Sequence, residues 1–183
     1  MATRGRGWDK NTEETCKAAY QRISMLTKLR YAGETIENLI HIYKQFVKSK
    51  LEYCMVAMYS SMTQQQKNLL ERCQAVSLRI ILQYNYISYE AAMKMTGLEP
   101  LSDRRQKRCL DFSLKCIKHS QNRRFFPKNP NLENEGHIRN REEFVVNFGR
   151  TKAYQMSAIP YCQRLLNTHF SNQKKKGSED QGG

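Results

Sequence analysis

Segment after segment of this chain returns apolar residues every three or four positions, and no stretch alternates convincingly as a half-buried strand would. That periodicity points to a mostly α chain, a small irregular helical bundle with a long polar loop and a final short helix. The first helix is expected over roughly 12–30, with Ile23, Leu26 and Leu29 at helical spacing and Gly33 as its stop. Thr35 suits the N-cap of a second helix whose one face is Leu39, Ile42, Tyr43, Phe46 and Val47. The near-continuous run LEYCMVAMY would extend that helix into a fully buried position. Thr63 with Gln66 three residues on forms a capping-box signature for a third helix, with Leu69, Leu70, Cys73, Val76, Ile80 and Ile81 inward. Ser88 and Gly97 bracket the short segment YEAAMKMT as cap and stop, and Ser102 is expected to cap the next helix, running on to His119.

The ends and the later third are read differently. Residues 1–11 lack periodicity and are expected as a disordered lead, with the helical region proper over 12–121. The polar, proline-containing stretch 122–140 is expected as an exposed loop. A C-terminal extension, 141–170, would dock on the bundle; within it FVVNF is either a short strand or a packing strip, and Pro160 suits the first turn of a helix ending near Leu166. Residues 171–183 are expected as a disordered tail.

Within 183 residues, 31 Lys and Arg stand against 17 Asp and Glu, a formal charge of +14 that favours a polyanionic partner. Six cysteines show no close-spaced zinc pair, no apolar run follows the N-terminal charges, and none approaches the roughly 18 residues of a membrane span. The expectation is an intracellular, reduced protein with no membrane contact; nuclear and cytoplasmic sites are not distinguished.

The charge is concentrated in SDRRQKRCLDFSLKCIKH, residues 102–119. With Cys109 at zero on a helical wheel, Leu110, Phe112, Leu114, Cys116 and Ile117 fill an arc of about 200°. Arg104, Lys107, Arg108, Lys115 and Lys118 fall opposite, with Asp111 alone among them. Arg105 falls toward the apolar boundary, where a long side chain can snorkel. Arg123 and Arg124 would extend the basic patch, while Phe125 and Phe126 suit core anchoring. A solvated exterior face is the plain alternative, but five cations with one acid repel one another, and a phosphate backbone would relieve that repulsion.

Catalytic constellations are missing from the sequence. The four aspartates, Asp9, Asp103, Asp111 and Asp180, do not make a metal-binding pair, and Glu13–Glu14 and Glu142–Glu143 read as surface. His41, His119, His137 and His169 are scattered; Cys116 and His119 share a helix without an identifiable orienting group. Gly5 and Gly7 lack the lysine and helix of a phosphate loop. No cofactor or metal is expected.

Five stretches taken in order, IYKQFVKSKLEYC, LLERCQAVSLRIIL, SYEAAMKMTGLEPLSDRR, SLKCIKHSQNRRFFP and NREEFVVNFGRTKAYQMSAIPYCQRLLN, carry a family resemblance. Together they are similar to the segment that follows the catalytic palm in reverse transcriptases of non-LTR (LINE-type, Jockey- or CR1-like) retrotransposons. The resemblance implies thumb-like helices that grip a template–primer, without the family's catalytic aspartates, which have no counterpart here. On that reading the chain is a non-catalytic fragment of an RNA-directed DNA polymerase. It would contact RNA, DNA or an RNA–DNA hybrid through Arg104, Lys107, Arg108, Lys115, Lys118, Arg123 and Arg124, and would once have packed on a palm and fingers. The alternative is a domesticated or relic helical protein-interaction module without nucleic-acid function.

Overall fold

The computed structural model describes residues 6–130 and 142–179, with side chains over 8–130 and 142–173. The chain is mostly helical, and no strand occurs among the described residues. Its contacts divide it into two compact units, Met1–Met55 with Met62–Arg105, and Val56–Ser61 with Gln106–Gly183. The boundary falls inside a helix, at Arg105, and not in the polar stretch 122–140.

In the first unit, α1 (Arg6–Tyr31) packs on α5 (Gln64–Leu82) and on the segment α2 (Ile36–Ile42), a π-helical turn (Tyr43–Val47) and α3 (Lys48–Leu51). Residues 6–11, expected as part of a disordered lead, are helical instead. Docking explains it: Asp9 Oδ1 accepts from Gln66 Nε2 at 2.6 Å, and Thr12 is buried. Thr35 caps α2 as expected, its hydroxyl accepting from Asn38 N.

Leu39, Tyr43, Val47 and Leu51 are all fully buried, spaced by four. An ideal α-helix would rotate such a row progressively off its face; the wider π turn takes up that drift and keeps the row inward. Phe46 then falls outside the row and is exposed, contrary to its expected place on the inner face. The run LEYCMVAMY does not continue as one helix either. A turn at Glu52–Cys54, with Cys54 at φ 53, separates α3 from α4 (Met55–Met58).

The capping box forms on α5: Thr63 Oγ1 accepts from Gln66 N at 3.2 Å and Gln66 Oε1 accepts from Thr63 N at 2.8 Å. Its buried stripe is Leu70, Cys73, Gln74, Ser77, Leu78 and Ile81, and Leu69, one position off that stripe, is exposed against expectation. The helix α6 (Tyr89–Thr96) takes its cap from Ser88, and Gly97 closes it in the left-handed region at φ 62. The next helix, α7 (Leu101–Lys118), is not capped by Ser102, which lies inside it; Glu71 Oε1 accepts from Leu101 N at 3.1 Å. A carboxylate at that position opposes the positive end of the helix dipole.

A buried polar network ties these elements together. Tyr43 Oη donates to Gln74 Oε1 at 2.7 Å, Gln74 Nε2 donates to Tyr89 Oη and Glu99 O at 3.0 Å each, and Tyr89 Oη donates to Glu71 Oε1 at 2.9 Å. Burial raises the hydroxyl pKa of both tyrosines, so both remain donors.

The second unit has its own core, formed by Tyr59, Cys109, Cys116, Phe126, Phe144, Cys162 and Leu166. Its last helix, α9 (Ala158–Glu179), is preceded by α8 (Lys152–Gln155), which Thr151 caps. The expected end near Leu166 is too early, and residues 171–179 are helical where a disordered tail was expected. Their Lys, Gln and Ser residues are compatible with a helix, which continues on its own backbone bonds.

FVVNF forms a packing strip. Asn167 accepts from Phe144 N at 2.8 Å and donates to Phe144 O at 2.9 Å, and Gln163 accepts from Asn147 N at 2.9 Å. Side-chain amides on α9 thus stand in for a neighbouring strand. Of the expected loop 122–140, residues 131–140 lie outside the described residues. The rest is partly packed: Phe126 is buried, and Lys128 and Phe144 form an isolated antiparallel bridge.

Candidate functional site

The basic residues resolve into two environments. Arg104 Nε donates to Glu52 Oε1 at 2.6 Å within the first unit, with the side chains 27% and 5% exposed. That hydrogen bond raises the arginine's pKa further and occupies the face a phosphate would need. Arg105, expected to snorkel at the boundary, is 1% exposed and lies inside the first unit.

Lys107, Arg108, Lys115 and Lys118 are all exposed and fall within roughly 100° of one another on the α7 wheel. Arg123 and Arg124 lie on the exposed 3-10 turn Arg123–Phe125, where the Arg124 guanidinium sits 4.9 Å from the Phe125 ring centre. All six belong to the second unit. Phe112, expected on the apolar arc, is part-exposed at its edge. Of the seven expected contact residues, six therefore share one unit, and Arg104 is engaged elsewhere.

An apolar surface that periodicity does not reveal lies on the first unit, at the end of α5. Gln83 takes φ 47, and a 3-10 turn (Gln83–Asn85) follows, with Tyr86 N donating to Gln83 O at 3.0 Å. The Arg79 guanidinium sits 5.3 Å from the Tyr86 ring centre, and Ser88 caps the next helix. The turn is thereby pinned on both sides. Yet Tyr84 is 100% and Ile87 85% exposed. The outer face of α5 also walls an open groove of about 630 Å³, where Leu69, Ala75 and Tyr89 meet Asn68, Glu71 and Arg72. The sequence signal was available in YNYI, an aromatic and apolar cluster at a helix stop, a position where the chain turns through solvent.

No described group of three or more His, Cys, Asp or Glu is placed to hold a metal ion, and no described helix is long and apolar enough to cross a membrane. Cys116 is buried and its thiol pKa raised by that burial, while His119 is exposed beyond the last residue of α7.

No family model, no curated protein and no solved structure matches the chain. The labels reverse transcriptase, RNA-directed DNA polymerase and retrotransposon are therefore withdrawn, since none of the three comparisons supports them. The similar stretches coincide with α2–α3, α5, the α6–α7 junction, the end of α7 with the 3-10 turn after it, and α8–α9. In these places caps, stops and buried stripes call for the same residue types in any helical protein.

Proposed function

We propose that the chain is a non-catalytic, helical protein-interaction module that presents the Tyr84–Ile87 turn and the groove beside Tyr89 to a partner. The observation supporting it is the full exposure of Tyr84 and near-full exposure of Ile87 on a turn whose backbone is fixed by its flanking helices. Burying two such side chains contributes about 3–6 kcal/mol. A pinned turn has little backbone entropy left to lose on binding. Exposed Arg72, Arg79 and Lys94 on the flanking helices favour an acidic rim on the partner. Photo-cross-linking tests this directly. A benzophenone amino acid introduced at Tyr84 should give a discrete protein adduct in the native cell extract, weakened by Ile87→Ser. The same group at exposed Lys17 on α1 should not. Equal yields from both positions, or none from Tyr84, would refute the reading.

The six exposed cations of the second unit favour a second reading, contact with the phosphate backbone of RNA, DNA or their hybrid. Each neutralised phosphate steepens the fall of log K with log salt by about 0.7–0.9. Changing Lys107, Arg108, Lys115 and Lys118 to glutamine should flatten that slope by about 3, measured with a labelled hybrid. An affinity that salt leaves unchanged would remove this reading.

A further inference from the structure

On the second unit, two phenylalanines face solvent from backbone that one buried side chain holds. Gln163 on α9 is fully buried; its Nε2 donates to Phe125 O at 2.8 Å and its Oε1 accepts from Asn147 N at 2.9 Å. One carboxamide spans the gap, so those two backbone atoms lie within about 8 Å of each other. Phe125 ends the 3-10 turn Arg123–Phe125 and is exposed, while Phe126 beside it is buried and anchors the turn. Phe148 follows Asn147 and is 87% exposed. Its other side is held as well. Gln155 Nε2 donates to Gly149 O at 2.9 Å, and the Tyr154 ring lies so close to Gly149 that an added Cβ would meet Cδ1 at 2.1 Å. Both rings are therefore presented on fixed backbone.

The charge around the rings is of one sign. The Arg124 guanidinium lies 4.9 Å from the Phe125 ring centre, and Arg123, Lys128, Arg150 and Lys152 are exposed within four residues of one ring or the other. The sequence has no Asp or Glu over 112–130 or over 144–178; Glu142 and Glu143, half-buried, precede the second of these stretches.

We propose that Phe125 and Phe148 form a stacking site for the unpaired bases of a single-stranded nucleic acid, with the surrounding arginines and lysines on its phosphates. This rests on the phosphate-backbone reading of the second unit and adds to it the form of the strand. A duplex hides the faces of its bases and gives such rings nothing to stack on, whereas every unpaired base offers a π face. The Arg124–Phe125 pair supplies both a ring and a guanidinium plane as platforms. Stacking reads neither sequence nor sugar, so RNA and DNA strands are both ligands. A protein surface that covered two phenylalanines here would also have to bring several acids to the rim. A single strand brings a negative charge with every base it stacks.

The test uses the full chain and two labelled strands of equal charge and about twelve nucleotides, oligothymidylate and the same backbone without bases. Oligothymidylate should bind about 5-fold or more tighter than the abasic strand. Phe148→Ala should weaken oligothymidylate binding by about 5-fold or more, with the salt slope and the abasic affinity unchanged, because no phosphate contact is lost. Phe148→Trp should keep at least the parent affinity. Phe125→Ala should act as Phe148→Ala does; where circular dichroism shows that it lowers helicity, Phe148, whose ring is almost wholly in solvent, decides alone. Equal binding of the two strands with the salt slope intact would overturn stacking and leave the phosphate reading standing, with the rings open to a protein partner. Binding to neither strand would overturn both. Phe148→Ala without effect on oligothymidylate would likewise overturn the stacking site.

Discussion

Replacing Gln74 by leucine removes the centre of the buried network while keeping an apolar side chain of similar size in its place. Gln74 is fully buried: Oε1 accepts from Tyr43 Oη at 2.7 Å, and Nε2 donates to Tyr89 Oη and to Glu99 O at 3.0 Å. Leucine leaves the Tyr43 hydroxyl, itself fully buried, without that acceptor, at about 1–3 kcal/mol. The two lost donations add about 0.5–1.5 kcal/mol each, so Gln74→Leu should destabilise the first unit by about 2–6 kcal/mol. Tyr43→Phe alone leaves Gln74 Oε1 buried without its donor and should cost about 1–3 kcal/mol. The double variant removes both partners, and its cost should fall short of the sum by at least about 1 kcal/mol. Urea unfolding followed by fluorescence reads this unit selectively, because the chain has a single tryptophan, Trp8, and it lies on α1. Additivity within roughly 0.5 kcal/mol would show that Tyr43 and Gln74 do not depend on each other, and the network account would fail.

Three further outcomes follow from the same contacts. Thr63→Ala should lower stability by about 1 kcal/mol through the capping box, and Gln66→Ala by more, because Gln66 also holds Asp9; Trp8-monitored midpoints in that order check it. Glu52→Gln should cost about 1–3 kcal/mol, and added salt should close little of the gap between variant and parent, since Glu52 is buried beside Arg104; urea unfolding at two ionic strengths decides. For Cys109, burial pushes the thiol pKa in the folded chain up to about 12 from an ordinary 9.0, so its neutral form stabilises the fold fully below that lower value. Stability is lost as pH rises through that window, by up to about 1.4 kcal/mol per pH unit, and Cys109→Ala should flatten the alkaline slope seen by circular dichroism.

What was legible in the sequence was local. Thr35, Thr63 and Ser88 cap, and Gly97 stops, because a cap needs only a side-chain oxygen and a few residues of spacing. What escaped was set from outside the element. Helix α7 begins one residue before Ser102 because Glu71, 30 positions earlier, supplies its acceptor. Phe46 turns outward because a π turn re-registers its helix, and no residue type announces a π turn. The start of α1 was missed because Asp9 is held by Gln66, 57 residues away. FVVNF could not be resolved between strand and strip because its hydrogen-bond partners are side chains on α9.

The basic segment shows the same limit on the scale of single residues. Arg104 and Arg105 are neighbours of identical chemistry, yet one is paired with a buried glutamate and the other is wholly enclosed, while Lys107 and Arg108 are exposed. A helical wheel assigns angles and cannot say which neighbour fills them, so charge density alone overstates the surface open to a phosphate backbone. The apolar turn errs the other way: Tyr84 and Ile87 would be assigned to a core by type, and the backbone turn carries them into water. Because the two surfaces lie on different compact units, each can be altered without touching the other. Salt then separates them physically. Raising ionic strength weakens phosphate contacts in proportion to the counterions released, whereas burial of Tyr84 and Ile87 involves no net charge and persists. A partner retained at high salt and lost with Ile87→Ser would be held by the turn; one lost with salt and indifferent to Ile87 would be held by the basic face.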